Sequence, residues 1–141
     1  FRDATYYVDR IVIPYEPKTI VIYDGDNDLK SGLSAEEVFA DCKAFVEKVR
    51  AALPDTKIIV LSVKPSIARW ELYGEQQKAN KLIENYTKAN KDLLYVDVGT
   101  ALLGADGKPR ADLLKEDGLH LNEAGYEIWT KILTPILTET R

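Results

Sequence analysis

The only histidine of the chain, His120, lies in the segment Asp-Gly-Leu-His-Leu-Asn at residues 117–122. Histidine suits proton transfer because its unperturbed pKa is close to neutrality. Asp117, three residues earlier, could fix the tautomer of the imidazole and stabilise its protonated form. Asn122 suits the N-cap of a following helix, which would hold the end of this loop. A solvated loop in which the two residues meet by chance is the alternative.

A second polar segment, Asp-Gly-Asp-Asn-Asp at residues 24–28, follows a short apolar run. The amide of Asn27 could donate a hydrogen bond to a developing oxyanion. Gly25 would allow a sharp turn, and we expect it to contact the substrate. The alternate aspartates also resemble an EF-hand calcium loop. That pattern requires glycine and glutamate where this sequence has Leu29 and Ala35. A plain polar turn is the third interpretation.

A parallel sheet would bring these two segments together. Three apolar runs predict strands, and helical periodicity predicts the segments between them. The first run has no alternation, which suits a strand buried on both faces of a parallel sheet, and the second is also expected to be a buried strand. The predicted strands are 19–23, 57–63 and 93–98, and the predicted helices are 3–13, 34–53, 75–89 and one from about 123. The polar loops after the strands (24–33, 63–70 and 99–121) would gather at the carboxyl edge of the sheet, where ligands bind.

Some helices carry more detailed predictions. Ser34 and Glu37 have the spacing of a capping box. Cys42 falls on the apolar face of the helix that this box opens, and we expect it in the core. The first helix is expected to bury one face, formed by Ala4, Tyr7, Val8, Ile11 and Val12.

Length and composition limit the possible classes of protein. The 141 residues, with a net charge of -4 and no block of like charges, predict one globular domain over 1–141 without a nucleic-acid partner. No apolar run is as long as a membrane span. A single cysteine excludes an internal disulfide and a thiolate zinc site. No motif for a metal or a cofactor is present, so we expect none.

The start of the sequence suggests that more residues belong to the protein. The chain contains no methionine and begins with Phe1. Because a primary translation product begins with methionine, we expect residues upstream of this position.

Taken together, the two polar segments resemble the SGNH (GDSL-type) hydrolase superfamily. Residues 25–28 match its Gly-x-Asn-Asp block, and residues 117–120 match its Asp-x-x-His block. The resemblance implies a flavodoxin-like, three-layer α/β/α sandwich that cleaves carboxylic esters through an acyl-enzyme. It implies that His120 is the general base and acid, that Asp117 orients it, and that Asn27 belongs to the oxyanion hole.

The sequence departs from that family at its nucleophile. The Gly-Asp-Ser block and the block with a second oxyanion glycine are both absent, and none of the four serines (31, 34, 62 and 66) follows a Gly-Asp pair. The resemblance therefore implies that both blocks lie upstream of Phe1. This chain would then be the C-terminal part of a hydrolase domain, inactive alone and with an open sheet edge.

Two further predictions concern a substrate pocket and an alternative function. Trp70, together with Arg69, could line a substrate pocket, or it could pack as core. A non-catalytic α/β module that binds a ligand or partner on the same face is the alternative function, and it predicts that His120→Ala leaves function intact.

Overall fold

The computed structural model describes residues 1–138, which form a three-stranded parallel sheet and five α-helices. The strands lie in the order β1-β2-β3, with Ile20 opposite Ile58 and Ile59 opposite Leu94. The strands are β1 (Thr19–Ile22), β2 (Lys57–Leu61) and β3 (Leu93–Val96). The helices are α1 (Arg2–Ile11), α2 (Asp26–Lys30), α3 (Ala35–Ala52), α4 (Tyr73–Lys88) and α5 (Glu123–Thr138).

Alternate side chains of the strands enter two separate cores, one on each face of the sheet. Ile58 and Val60 of β2 lie in the larger core, which the sheet shares with α1, α3 and α4. Ile59 and Leu61 point to the other face, where Trp129 and its neighbours on α5 cover them. The three-layer α/β/α arrangement predicted from the sequence is therefore confirmed.

Burial differs between the central strand and its neighbours. β2 is buried along nearly its whole length, whereas β1 and β3 are mostly half-buried. Val21 of β1 is 41% exposed. The prediction of burial on both faces is wrong for β1, which within residues 1–138 pairs with a single neighbour.

The first helix and the first polar loop also differ from expectation. Val8 is fully buried, but Tyr7 and Ile11 are exposed, since α1 rests on α3 along a narrower stripe than predicted. Residues 25–32 are not a simple loop, because they contain α2. Its two acidic first-turn residues suit the positive end of the helix dipole, and Leu29 anchors it in the core.

The beginning of α3 follows its prediction closely. The Ser34 hydroxyl accepts a hydrogen bond from the Glu37 amide at 3.2 Å, and the Glu37 carboxylate accepts one from the Ser34 amide at 2.8 Å. Cys42 is fully buried, as expected. None of the helices within residues 1–138 is long and apolar enough to cross a membrane.

Candidate active site

The segment that carries His120 is a narrow hairpin rather than a loose loop. Leu114 and Leu121 pair as an antiparallel bridge at its base. Inside the bridge, the Lys115 amide donates to the His120 carbonyl at 2.8 Å. The turn closes at Gly118, which has a positive φ of 65° that few other residues adopt. Backbone hydrogen bonds therefore fix the position of the His120 backbone, from which the imidazole extends.

Asp117 and His120 form a hydrogen-bonded pair within this hairpin. Asp117 Oδ2 lies 2.6 Å from His120 Nδ1, and Asp117 Oδ1 accepts from the amides of Leu119 at 2.9 Å and His120 at 3.0 Å. The hydrogen bond from His120, followed by those two amides, holds the pKa of Asp117 well below its usual range. An ionised carboxylate only accepts, so Nδ1 carries the proton and Nε2 is left as an acceptor. Nε2 has no partner within residues 1–138.

The loop after β2 anchors the hairpin from the side. The ammonium of Lys64 donates to the Leu119 carbonyl at 2.6 Å, and the Ala68 amide donates to the Gly118 carbonyl at 3.0 Å. Lys64 is buried, and burial lowers its pKa. No role was predicted for this residue. A charged residue directly after a predicted buried strand is the sequence feature that could have indicated one.

The downstream end of the hairpin is fixed by Asn122, as predicted. Its Oδ1 accepts from the Gly125 amide at 3.1 Å, which caps α5. Its Nδ2 donates to the carbonyls of Asp112 at 2.8 Å and Leu114 at 3.1 Å. One side chain thus ties the hairpin to both the helix and the preceding segment.

Asn27 lies in the first turn of α2, directly after the sharp turn at Gly25. Gly25 has a φ of 104°, and a Cβ at this position would come within 3.0 Å of Val38 Cγ1. The Gly25 amide donates to Asp24 Oδ1 at 2.8 Å. Backbone conformation and close packing therefore both require glycine before Asn27.

A cavity of about 210 Å³ separates the hairpin from this turn. His120, whose side chain is 66% exposed, and Asn27 both line this cavity, and Asp117 is hydrogen-bonded to the imidazole. The remaining lining residues are Tyr23, Asp24, Asp26, Lys64, Arg69 and Leu119. Histidine and amide are thus brought to one space from segments far apart in the chain.

Two predicted substrate-binding residues lie outside this lining. Gly25 acts at the turn beneath Asn27, and the ring of Trp70 stacks on Tyr73 with centroids 4.4 Å apart. Their contact with substrate stays a prediction. Arg69, next to Trp70, does line the cavity.

The three aspartates of the calcium-loop interpretation contact two different cationic groups. Asp26 pairs with Arg69, whereas Asp24 and Asp28 lie 2.6 and 2.8 Å from the amino group of Phe1. Within residues 1–138, no group of three or more His, Cys, Asp or Glu side chains is arranged to hold a metal ion.

Three of the four serines have hydrogen-bond partners elsewhere in the fold, and the hydroxyl of the fourth, Ser66, is buried without a partner within residues 1–138. Ser31 donates to the Asp28 carbonyl, and Ser34 caps α3. Ser62 contacts Asp97 and two backbone amides, and Ser66 is fully buried. None of them lines the cavity.

Known proteins are similar to this chain in sequence and in fold. The chain is 29% identical over 123 residues to platelet-activating factor acetylhydrolase IB subunit alpha2 of Rattus norvegicus, a match that covers 86% of this chain and 51% of the relative. It thus spans about half the length of the curated relatives that it matches.

Solved structures agree on the fold. A GDSL-like lipase from Bacteroides thetaiotaomicron superposes with a TM-score of 0.79 at 25% identity, over 97% of this chain and 70% of that one. A carbohydrate esterase of family 3 from Talaromyces cellulolyticus gives a TM-score of 0.77 at 21% identity, over 96% and 66%. Residues 3–128 match the model of the GDSL-like Lipase/Acylhydrolase family. With most of its length covered by that model, and the predicted resemblance confirmed, the chain belongs to the GDSL-like lipase/acylhydrolase family.

Proposed function

We propose that this chain supplies the general base, its orienting acid and one oxyanion donor of a serine esterase that cleaves carboxylic esters. The observation that carries the proposal is that the Asp117–His120 pair, whose Nε2 is unpartnered within residues 1–138, lies at the same cavity as Asn27. Membership of an acylhydrolase family supports it. The substrate would be a small acyl ester, and none of the steps below uses a cofactor.

The first half of the reaction would form an acyl-enzyme. His120 Nε2 takes the proton of a serine hydroxyl while the serine oxygen attacks the ester carbonyl. Asn27 Nδ2 donates to the oxyanion, and the carboxylate of Asp117 stabilises the imidazolium. His120 then protonates the departing alcohol as the carbon–oxygen bond breaks.

The second half would repeat these roles with water. His120 removes a proton from water, which attacks the acyl carbonyl, and Asn27 again stabilises the oxyanion. The carboxylic acid leaves as the serine oxygen recovers the proton from His120. The enzyme therefore returns to its starting state.

The nucleophile in this scheme comes from outside the described residues. No serine lines the cavity, and β1 has no strand on its outer edge within residues 1–138. A parallel strand placed there would end beside the turn that carries Asn27. We place the serine on such a strand upstream of Phe1, which makes this chain the C-terminal part of one hydrolase domain. Residues 1–141 alone should then not hydrolyse esters.

Substitutions in the complete protein test the base and its partner. With a chromogenic short-chain ester, we expect His120→Ala and Asp117→Asn each to lower kcat by about 10⁴-fold or more. Glu116→Gln is the matched control, because this exposed neighbour of Asp117 has no side-chain partner within residues 1–138. Its kcat should be unchanged, and circular dichroism should show that all three variants are folded.

Covalent labelling tests the position of the nucleophile. A fluorophosphonate should modify a serine outside residues 1–141 in the complete protein, as located by peptide mass spectrometry. A label on Ser31, Ser34, Ser62 or Ser66 would overturn that position. Full turnover in His120→Ala would overturn the assigned roles and favour the ligand-binding module instead.

A further inference from the structure

Arg69 contacts the amide of Asn27 in a way that fixes its orientation. Arg69 Nη2 donates to Asn27 Oδ1 at 2.9 Å. A side-chain amide can rotate to exchange its oxygen and nitrogen, but a guanidinium has only donors, so it must face the oxygen. The Nδ2 group of Asn27 consequently points elsewhere, and it has no hydrogen-bond partner within residues 1–138.

The guanidinium is itself held by the residue next to Asn27. Arg69 Nη1 lies 2.9 Å from Asp26 Oδ2, and the two side chains are only 13% and 11% exposed. The N–H bonds do not point directly at the carboxylate oxygen, so this contact is an ion pair rather than a hydrogen bond. Arg69 thus contacts two consecutive residues in the first turn of α2, Asp26 through Nη1 and Asn27 through Nη2.

A further side chain holds Asp26 from α4. The fully buried Gln76 donates from Nε2 to Asp26 Oδ1 at 3.1 Å. Gln76, Asp26 and Arg69 therefore form a connected relay that ends on Asn27. Asp26 occupies the variable position of the Gly-x-Asn-Asp segment, and in this chain that position carries a buried charge.

We propose that Arg69 is a positioning residue for the oxyanion hole. It turns the Asn27 amide so that Nδ2 faces the cavity, and Asp26 and Gln76 keep the guanidinium in place. This inference rests on the proposed role of Asn27. Arg69 acts through Asn27, so its removal should affect the chemical step and not the binding of the ground-state ester.

A double-mutant cycle in the complete protein tests the relay. We expect Asn27→Ala to lower kcat for a short-chain ester by about 10²- to 10³-fold. Arg69→Gln should lower kcat by about 10- to 100-fold, with KM little changed, because a misdirected donor costs transition-state stabilisation. In the double variant, Arg69→Gln should cause little further loss. Arg69→Lys should recover part of the kcat, since it keeps the positive charge beside Asp26.

Controls separate this effect from general damage to the fold. Arg110→Gln is the matched substitution, because within residues 1–138 the Arg110 side chain forms polar contacts only with Asp112, and it lies outside the cavity lining. It should leave kcat unchanged. If Arg69→Gln unfolds at the assay temperature, Arg69→Lys replaces it in the cycle, since its smaller loss of kcat should likewise vanish in the Asn27→Ala background.

The outcomes distinguish the two proposals. An Asn27→Ala variant with normal kcat would overturn the oxyanion role itself. A large effect of Asn27→Ala, combined with an Arg69 effect that multiplies fully in the double variant, would overturn only the relay. An Arg69 variant with an unchanged kcat, or with a loss confined to KM, would overturn it as well.

Discussion

At the scale of the residue, burial determines what Cys42 can do. The side chain is fully buried in the larger core, and burial raises the pKa of its thiol to about 12. Thiolate, not thiol, is the form that reacts with disulfide reagents. We therefore expect Ellman's reagent at mildly alkaline pH to modify Cys42 only when the chain unfolds.

The measurement is the rate of labelling in native buffer and in guanidinium chloride. In the denaturant, Cys42 should react at the rate of an ordinary exposed thiol. In native buffer, the rate should follow global unfolding and respond to destabilising mutations. Equal rates in the two solutions would show that the thiol is accessible in the folded chain.

Sequence separation explains which side-chain contacts could be predicted. Asp117 and His120 lie three residues apart in one turn, so their pairing follows from local geometry. Arg69 and Asn27 are separated by 42 residues, and Lys64 and Leu119 by 55. These contacts depend on how the loops after β1, β2 and β3 meet, and no local pattern encodes that meeting.

At the scale of the element, the first turn of α5 lies very close to the hairpin that carries His120. A Cβ on Gly125 would lie 2.5 Å from the Leu113 carbonyl oxygen and 3.0 Å from Leu121 Cδ2. Real Cβ atoms do not approach a carbonyl oxygen so closely, so any larger residue must push the helix and the hairpin apart. Glycine here permits contact between the two elements.

The pair Gly125→Ala and Gly74→Ala tests this close contact. Alanine normally stabilises a helix by about 0.5–1 kcal/mol relative to glycine. A Cβ added to Gly74 in α4 would meet no atom within 4 Å, so its variant should melt at the same or a higher temperature. Gly125→Ala should melt at a lower temperature, and in the complete protein it should also lose activity. A higher melting temperature for Gly125→Ala would contradict the packing argument.

Element boundaries also show where sequence patterns stop being informative. The capping box correctly placed the start of α3, because both partners lie within one turn. The five residues of α2 are too few to show a helical period, and their position depends on the burial of Leu29 by distant residues. The prediction that the whole of 24–33 is a loop was wrong for that reason.

At the scale of the whole molecule, the outer edge of β1 is unpaired within residues 1–138, as is the outer edge of β3. β1 pairs only with β2. The side chain of Val21 lies on the face of the sheet that α5 covers at β2 and β3. The alternation of strands and helices was enough to predict the parallel sheet. The order of the strands and the burial of each strand could not be predicted from it. Unpaired strand edges promote association between chains.

Isolated residues 1–141 should therefore self-associate in a concentration-dependent way. Val21→Lys should shift the sedimentation profile toward the monomer, because charge on an edge strand opposes pairing. Ile11→Lys is the matched control, since it removes an exposed apolar residue from α1 without altering the edge. A monomer at all concentrations, or equal effects of both substitutions, would contradict an edge-mediated contact.

The order of the strands across the sheet repeats their order along the chain. During synthesis on the ribosome, β2 and then β3 each find a neighbour that has already been made. The turn with Asn27 is made first, whereas the hairpin with His120 needs Asn122 and α5 to hold it and is the last of the cavity-lining segments to be made. At usual rates of translation, these two segments are made roughly 5 to 20 seconds apart. On the proposed function, a nascent chain would be unable to cleave an ester until α5 has been made.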